Sequence, residues 1–396
     1  MKFKEDIYTK LKILSKSAEF DNVCTGSGKR RETKAYTKGL NGISYVWLSN
    51  GKCLPLLKIL YTNFCINNCK YCYNRRKNDI RRTAFTPEEI ANLTLELYKK
   101  GYIKGLFLSS GIYYSPDDTM ELMIKAVELL RKVYDFKAYI HLKILPGTSK
   151  ELIKKAIFLA SRVSCNIELP TQESLKKLAP EKEQKILIET LAKIRTLKDE
   201  FEKKTSSSTQ LIIGATPDTD KTILKFSQSL YKKGLVKRVY YSAYIPINND
   251  KDLPFFEKPP YLREYRLYQA DFLLRFYGFS LEELFINNET LDLKMDPKLR
   301  WALSHPEFFP IDITKADYWE LLRIPGIGPL SAKKIIEIRK YNVLNEDTLK
   351  KLKIPLKKAK YFIAIKGKPL YKSFKEFTFT FPSLEKSFRV SQLSLF

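Results

Sequence analysis

The segment that decides the fold, residues 54–76, reads "LPLLKILYTNFCINNCKYCYNRR". Its first part, residues 54–62, is an apolar run with the length of one buried β-strand, and three cysteines follow at once: Cys65, Cys69 and Cys72. In a reducing compartment, cysteines clustered in this way are more often metal ligands or catalysts than disulfide partners. The remaining cysteines are scattered, so no disulfide framework is predicted: Cys24, Cys53 and Cys165.

Further apolar runs follow this strand and alternate with amphipathic stretches. The predicted strands are 54–62, 105–110, 138–145, 162–169, 209–215 and 236–245, and the predicted helices are 86–100, 117–133, 149–160, 181–203 and 219–233. Thr86 and Pro87 are typical of a helix start. Alternating strands and helices predict an α/β fold of parallel βα units, either a barrel or a doubly wound sheet.

The bulk composition indicates a folded protein outside the membrane. With 396 residues, 44% hydrophobic and 13% aromatic, the chain can form two or three domains and is not disordered throughout. No run of eighteen apolar residues is present, and the N-terminus lacks the features of a signal peptide. We therefore expect a cytoplasmic protein with no membrane segment.

Net charge is +27, which favours a polyanionic partner, nucleic acid before an anionic membrane. The excess is concentrated in residues 321–375, which hold 15 Lys or Arg against 3 Asp or Glu. A lysine-rich genome is an alternative source of the overall excess, but it explains this cluster less well.

Three cysteines are one too few for the usual closed metal sites. A structural zinc site takes four ligands, which His141 or Cys165 could complete. A 4Fe–4S cluster also normally takes four cysteines, and three would leave one iron open to another ligand. Loops that follow parallel barrel strands lie at the C-terminal face, where active sites are found.

The spacing Cys-x3-Cys-x2-Cys after the first strand of a six-unit βα pattern, with Tyr71 before the last cysteine, closely resembles the radical S-adenosylmethionine (SAM) superfamily. The resemblance implies a partial (βα)6 barrel and a 4Fe–4S cluster on Cys65, Cys69 and Cys72. It further implies that the open iron binds the amino and carboxylate groups of SAM, and that a one-electron reductant such as flavodoxin or ferredoxin cleaves SAM to a 5′-deoxyadenosyl radical.

The same resemblance assigns cofactor contacts to other strand ends. Ser109, Ser110 and Gly111 stand where many members have Gly-Gly-Glu, although no glutamate follows here; ordinary strand-end capping is the alternative for the serines. Strand alternation places polar side chains on one face of two neighbouring strands. Asn166 and Glu168 suit the ribose hydroxyls of SAM, His141 and Lys143 suit a substrate or a carboxylate, Gly214 suits the adenine, and a buried Lys143–Glu168 pair is the alternative.

Residues 313–340 predict a helix, a tight hairpin and a second helix, with a capping box from Thr314 to Asp317. They closely resemble a helix-hairpin-helix DNA-binding motif, and residues 347–367 resemble a degenerate second copy. The motif implies phosphate contacts by the hairpin and the next helix: Gly326, Ile327, Gly328, Lys333 and Lys334. A protein-binding helical hairpin is the alternative.

The last five residues, "QLSLF", resemble the peptide by which bacterial repair and replication proteins bind the sliding clamp, through Gln392, Leu393, Leu395 and Phe396. A tail that docks on its own domain is the alternative.

Stretches along nearly the whole chain, such as "LFLSSGI", "NIELP" and "RLYQADFLLRFYGF", resemble the DNA modification and repair radical SAM proteins, a family encoded beside a uracil-DNA-glycosylase-like partner. We expect an N-terminal extension (1–52), a radical SAM core (53–246), a helical segment packing on it (247–310), a small all-α hairpin module (311–367) and a tail (368–396). The expected function is radical SAM chemistry in DNA repair or base modification. The alternatives are an RNA-modifying enzyme and a non-enzymatic DNA-binding protein with a structural iron–sulfur cluster.

Overall fold

The computed structural model describes residues 5–18, 42–47, 53–285, 288–341 and 344–371. Its main sheet has seven strands in chain order, of which β2 to β7 are parallel neighbours and β1 pairs antiparallel with β2. The strands are β1 (Ile43–Trp47), β2 (Cys53–Leu60), β3 (Gly105–Ser109), β4 (Tyr139–Lys143), β5 (Arg162–Ser164), β6 (Ser206–Ile213) and β7 (Arg238–Ala243). Since each parallel neighbour needs a crossover of the same hand, the helices cover one face and the sheet curls as a half-barrel around the other.

Most of the helices correspond to predicted ones, but the first and the fifth along the chain were not predicted. They are α1 (Ile7–Ser17), α2 (Pro87–Lys99), α3 (Pro116–Glu128), α4 (Lys150–Leu159), α5 (Gln172–Leu178), α6 (Gln184–Glu200), α7 (Asp220–Lys232) and α8 (Tyr261–Phe276). The predicted start of α2 is confirmed: the Thr86 hydroxyl accepts from the Glu89 amide at 3.2 Å, and the Glu89 carboxylate accepts from the Thr86 amide at 2.7 Å. Among the described residues, no helix is both long and apolar enough to cross a membrane.

Two features of the sheet differ from the prediction. Strand β1 was not predicted, and the fifth strand, predicted over 162–169, ends at Ser164. Glu168 has a φ of +70°, a left-handed conformation that takes it out of the pleat, and it returns to the sheet only as a single bridge to Leu211. The side chain of Glu168 therefore cannot be placed by simple strand alternation.

The described residues divide into two compact units, one of residues up to 218 with 226–264, and the other of 219–225 with 265–371. The second unit contains α9 (Leu281–Leu284), α10 (Pro297–Ser304), α11 (Tyr318–Arg323), α12 (Pro329–Ile338), α13 (Glu346–Lys351), α14 (Leu356–Ala359), β8 (Ile311–Asp312), β9 (Ile363–Ile365) and β10 (Lys368–Pro369). The short strands form a three-stranded sheet, so the unit is not all-α as expected. Its buried cluster joins Leu273, Leu299 and Trp301 to Leu321 and Ile335 of the hairpin helices, so much of the segment expected to pack on the first unit shares a core with the hairpin.

The predicted capping box between Thr314 and Asp317 is wrong. Helix α11 begins after Asp317, whose carboxylate accepts from the Glu320 amide at 2.8 Å, while the Glu320 carboxylate accepts from the Asp317 amide at 2.7 Å. The Thr314 hydroxyl instead donates to Asp312 at 2.6 Å. An Asp at the N-cap with Glu at the third position forms the same reciprocal bonds, and it lies closer to the apolar run of α11.

Candidate cofactor cavity at the cysteine loop

The cysteine loop follows β2 and is held by backbone hydrogen bonds from two directions. The Ile66 amide donates to the Ile112 carbonyl at 2.8 Å beyond the end of β3, and the Lys70 amide donates to the Leu178 carbonyl at 2.7 Å at the end of α5. Within the loop, the Cys72 amide donates to the Cys69 carbonyl at 2.9 Å and closes a tight turn. The positions of the thiols therefore depend on three separate segments of the chain.

Two side chains that the sequence analysis did not single out bind the carbonyl groups of this loop. The guanidinium of Arg82 donates to the carbonyls of Asn63 at 2.5 Å, Arg75 at 2.7 Å and Asn78 at 3.0 Å. The amide of Asn248 donates to the carbonyls of Lys70 at 2.7 Å and Cys72 at 2.9 Å. Backbone outside helices and sheets lacks their regular hydrogen bonds, so its buried carbonyl groups need donors such as these side chains. No sequence signal marks these two residues, because their partners are backbone atoms.

A cavity of about 180 Å³ opens against the loop. One water molecule needs about 10–15 Å³ of such space, so this cavity can hold a molecule of cofactor size. Most of the predicted cofactor residues line it: Cys65, Cys69, Tyr71, Cys72, Ser109, Ser110, Gly111, Lys143, Asn166 and Glu168. It is also lined by residues that were not predicted, among them Asn74, Lys182, Gln210 and Tyr244.

Two predicted contacts lie elsewhere. His141 lines a small adjoining space of about 10 Å³, which shares Lys143, Asn166 and Gln210 with the cavity. There its Nε2 lies 2.8 Å from the Ser164 hydroxyl, and its ring packs at 90° to that of Phe107. Burial, with the charges of Arg162 and Lys143, lowers the pKa of His141 well below 6.5, so the ring is neutral at physiological pH. Gly214 has a φ of +88° and packs against Pro260, and it does not line the cavity.

Glu168 forms its ion pair with Lys182 at 2.9 Å, and this replaces the Lys143 partner that the sequence analysis considered. Both side chains are close to buried, with 14% of Lys182 and 12% of Glu168 exposed. Burial by itself lowers the pKa of Lys182, but Glu168, Tyr71 and Cys69 more than offset burial, so this pKa lies well above 10.5. The cavity therefore contains a charged, paired ammonium and carboxylate beside the thiols.

The three thiols line one cavity, where iron would have to compete with protons for them. Burial raises the pKa of the Cys69 thiol to about 11 and that of Cys72 to about 12, so iron must displace a proton from each. Within the described part of the chain, no three Cys, His, Asp or Glu side chains converge on a single metal ion. Cysteines that each bind a different iron of a cluster need no such convergence. Cys165, buried as well, is not among the residues that line the cavity.

Unsatisfied polar atoms in the wall fit a polar ligand. Four residues of the lining each carry a buried oxygen without a hydrogen-bond partner among the described residues: Tyr71, Asn74, Ser110 and Tyr244. Each such atom costs about 1–3 kcal/mol when it is left unsatisfied. A ligand with amino, carboxylate and hydroxyl groups, as SAM has, would supply the missing partners.

Comparison with known proteins identifies the domain to which this cavity belongs. Residues 59–230 match the family described as the radical SAM superfamily. No curated protein sequence matches the chain.

Several solved structures match at low identity. The FeFe-hydrogenase maturase HydG from Carboxydothermus hydrogenoformans is 15% identical over 54% of this chain and 50% of its own, with a TM-score of 0.44. Methylornithine synthase (PylB) is 15% identical over 55% and 62%, with a TM-score of 0.45. Coproporphyrinogen III oxidase (HemN) from Escherichia coli is 14% identical over 54% and 51%, with a TM-score of 0.35. The match thus spans about half to three fifths of these proteins. From the family match, the chain contains a radical SAM superfamily domain at residues 59–230, and the cofactors of such domains are a 4Fe–4S cluster and S-adenosylmethionine.

Proposed function

We propose that the chain is a radical SAM enzyme that acts on DNA, in repair or in base modification. The observation that carries the enzymatic part is the cavity itself, in which Cys65, Cys69 and Cys72 face polar atoms that lack partners among the described residues. When the cluster and SAM are bound, they supply a 5′-deoxyadenosyl radical that removes a hydrogen atom from a substrate.

The residues of the chain have distinct parts in this proposal. The thiolates of Cys65, Cys69 and Cys72 would hold the cluster. The Ser110 hydroxyl would accept from the SAM amino group, where many members of the superfamily use a glutamate. Asn166 and Glu168 would bind the ribose hydroxyls, and Lys182 orients Glu168 through their ion pair at 2.9 Å. The buried walls would exclude water from the site.

The first test is SAM cleavage by the Cys69→Ala variant. After anaerobic reconstitution with iron, sulfide, SAM and dithionite, we expect the wild-type protein to form 5′-deoxyadenosine and the variant to remain at the level of a blank without enzyme, because one iron has lost its ligand. Chromatography measures the nucleoside, and iron analysis measures the cluster. Cys165→Ala is the matched control and is expected to keep both. Equal product from wild type and Cys69→Ala would refute the enzymatic function, and equal iron loss in both variants would support a four-ligand metal site.

The DNA part of the proposal is supported by the hairpin between α11 and α12. Gly326 has a φ of +90°, and a Cβ there would lie 3.2 Å from the Pro355 carbonyl oxygen, so the turn lies against the second, degenerate hairpin. Gly328 is the N-cap of α12 and Pro329 its first residue, which leaves the first amides of that helix available to a phosphate.

The surroundings of the hairpin also fit a backbone-binding element. The side chain of Lys298 is buried and donates to the Ile327 carbonyl at 2.5 Å. This hydrogen bond stabilises the turn from the interior of the protein. Lys333 and Lys334 lie exposed on the first turns of α12. Contacts of this kind bind phosphates without reading sequence, so they also fit RNA, and an RNA-modifying enzyme is the second candidate.

The second test is duplex DNA binding by a Lys333→Gln/Lys334→Gln variant. We expect weaker binding at low salt and a salt dependence whose logarithmic slope is smaller by about 2, because two phosphate contacts and their released counterions are lost. Lys232→Gln/Lys233→Gln, an exposed pair at the end of α7, is the control with the same change of charge. Fluorescence anisotropy at several salt concentrations measures both. Equal effects of the two variants would mean that bulk charge, and not the hairpin, binds DNA.

The remaining partners are proposals from resemblance. A flavodoxin or ferredoxin supplies the electron, and a uracil-DNA-glycosylase-like protein acts with the enzyme. The clamp-binding peptide at Gln392, Leu393, Leu395 and Phe396 lies outside the described residues and stays a prediction. A non-enzymatic protein with a structural cluster is disfavoured, because such clusters use four cysteines and only three line this cavity among the described residues.

A further inference from the structure

Three aromatic rings contact one another in series beside the cysteine loop. The ring centroids of Phe64 and Tyr113 lie 5.1 Å apart and those of Tyr113 and Tyr114 lie 4.0 Å apart, with the ring planes tilted by 42° at both contacts. The Tyr114 hydroxyl donates to the Tyr113 hydroxyl at 3.2 Å. The outermost ring, Tyr114, is 66% exposed. We call these three residues the aromatic ladder, and its exposed end is a ring that a flat ligand can reach.

The ladder is held in place at the edge of the cofactor cavity. Phe64 directly precedes Cys65, and Tyr113 directly follows Ile112, and both Cys65 and Ile112 line the cavity. The Tyr113 amide donates to the Thr119 hydroxyl at 3.0 Å, which ties the ladder to α3. This bond fixes the backbone at Tyr113, between the cavity residue Ile112 and the exposed Tyr114.

Positive charge lies on the same loop. Arg76 and Lys77 are exposed, and the Arg76 amide donates to the carbonyl of Asn67, a residue of the cavity wall, at 2.9 Å. A run of backbone contacts connects these two residues to the ladder: Arg76 to Asn67, its neighbour Ile66 to Ile112 at 2.8 Å, and Ile112 to Tyr113. The cysteine loop therefore carries two exposed cations and is joined by its backbone to the aromatic ladder.

We propose that the aromatic ladder is the platform on which the substrate base stacks, so that the substrate is an unpaired nucleotide, either in a single strand or extruded from a duplex. Stacking on an aromatic ring suits any base, and a base inside a duplex cannot reach an enclosed reactive centre without leaving the helix. Arg76 and Lys77 bind the phosphates that flank that base. This proposal rests on the proposed action on nucleic acid and names the form in which the polymer is bound.

The test uses the full, reconstituted protein and two single-stranded oligonucleotides of about 12 nucleotides, one with bases and one abasic, which have the same number of phosphates. Because base stacking is worth about 1–3 kcal/mol per base, Tyr114→Ala is expected to weaken binding of the base-containing strand about 10-fold and to leave the abasic strand unaffected. Tyr114→Phe keeps the ring and is expected to bind as the wild type does. Tyr134→Ala, another exposed tyrosine of the same unit, is the control and is expected to change neither strand.

The outcomes separate the two proposals. Suppose that wild type binds both oligonucleotides. If Tyr114→Ala then binds them as wild type does, or binds both of them equally weakly, the ladder is not a base platform, although the action on nucleic acid stands. If wild type cleaves SAM but binds neither oligonucleotide nor duplex, the nucleic-acid function itself is wrong. Quenching of a 2-aminopurine base by wild type but not by Tyr114→Ala would show the stacking directly, whereas equal quenching would overturn it.

Discussion

Replacement of Gly111 by alanine is expected to impair cluster assembly and to lower SAM cleavage about 100-fold, the cost of misplacing a reactive group by about 1 Å. A Cβ at Gly111 would overlap the Phe64 carbonyl oxygen, and it would lie 3.0 Å from the Phe64 carbonyl carbon and 3.2 Å from the Cβ of Cys65. The overlapping atoms belong to the backbone, so no side-chain rotation relieves them. Either the cysteine loop or the turn after β3 must move.

Iron content, the visible absorption of the cluster and 5′-deoxyadenosine formation measure this effect. Gly101→Ala is the matched control, because its φ is +76° but nothing lies within 4 Å of an added Cβ. That variant should lose about 1–2 kcal/mol of stability through backbone strain and keep its cluster. A Gly111→Ala protein with full iron and normal SAM cleavage would show that the close contact with Phe64 has no part in holding the loop.

Removal of one member of the Glu168–Lys182 pair is expected to cost about 3–5 kcal/mol of unfolding free energy at neutral pH. In Lys182→Met the Glu168 carboxyl group, only 12% exposed, loses its ion-pair partner, which is far more costly than the loss of an exposed pair. The double variant Lys182→Met/Glu168→Gln removes both charges and should recover most of the loss. Urea unfolding curves of wild type, Lys182→Met, Glu168→Gln and the double variant measure the coupling between the two side chains.

The dependence on pH gives this prediction a second readout. The folded-state pKa of Lys182 lies well above 10.5, so its contribution to stability is fully present below pH 10.5 and is lost as pH rises through the folded value. Wild type should therefore lose stability in strong alkali more steeply than the double variant, and the two should have parallel profiles between pH 7 and about pH 9. A cost of less than about 1 kcal/mol for Lys182→Met would instead be typical of a solvated surface pair.

Much of the fold could be predicted because its signals are local. The apolar runs at 54–62 and 105–110 became β2 and β3 with shifts of one or two residues, and the reciprocal cap at Thr86 formed as expected. The prediction of a helix start failed where two neighbouring residues could each serve as the N-cap. At the start of α11 both Thr314 and Asp317 could cap, and the residue nearer the apolar run does so.

The candidate site was predictable only in part. The spacing of the three cysteines and the strand-end position of Ser109, Ser110 and Gly111 are sequence features, and these residues all line the cavity. His141 satisfied the same alternation but lies one layer deeper in the barrel, beside Ser164. Alternation predicts which face of a strand a residue occupies, but not how far along the barrel axis a ligand extends.

The sequence by itself determined the features from which the chemistry was predicted: three thiols at a fixed spacing, after the first strand of a βα series, in a chain with a charge of +27. The tertiary structure alone decided which groups surround those thiols. Lys182 reaches Glu168 because Glu168 leaves the pleat with a φ of +70°, Arg82 binds the carbonyls of the loop, and the ring of Tyr113 contacts Phe64 from another segment of the chain. The physical reason is that pattern and spacing encode local conformation. An ion pair, a set of hydrogen bonds to loop carbonyls or a contact between aromatic rings forms only where long crossovers bring distant segments of the chain together.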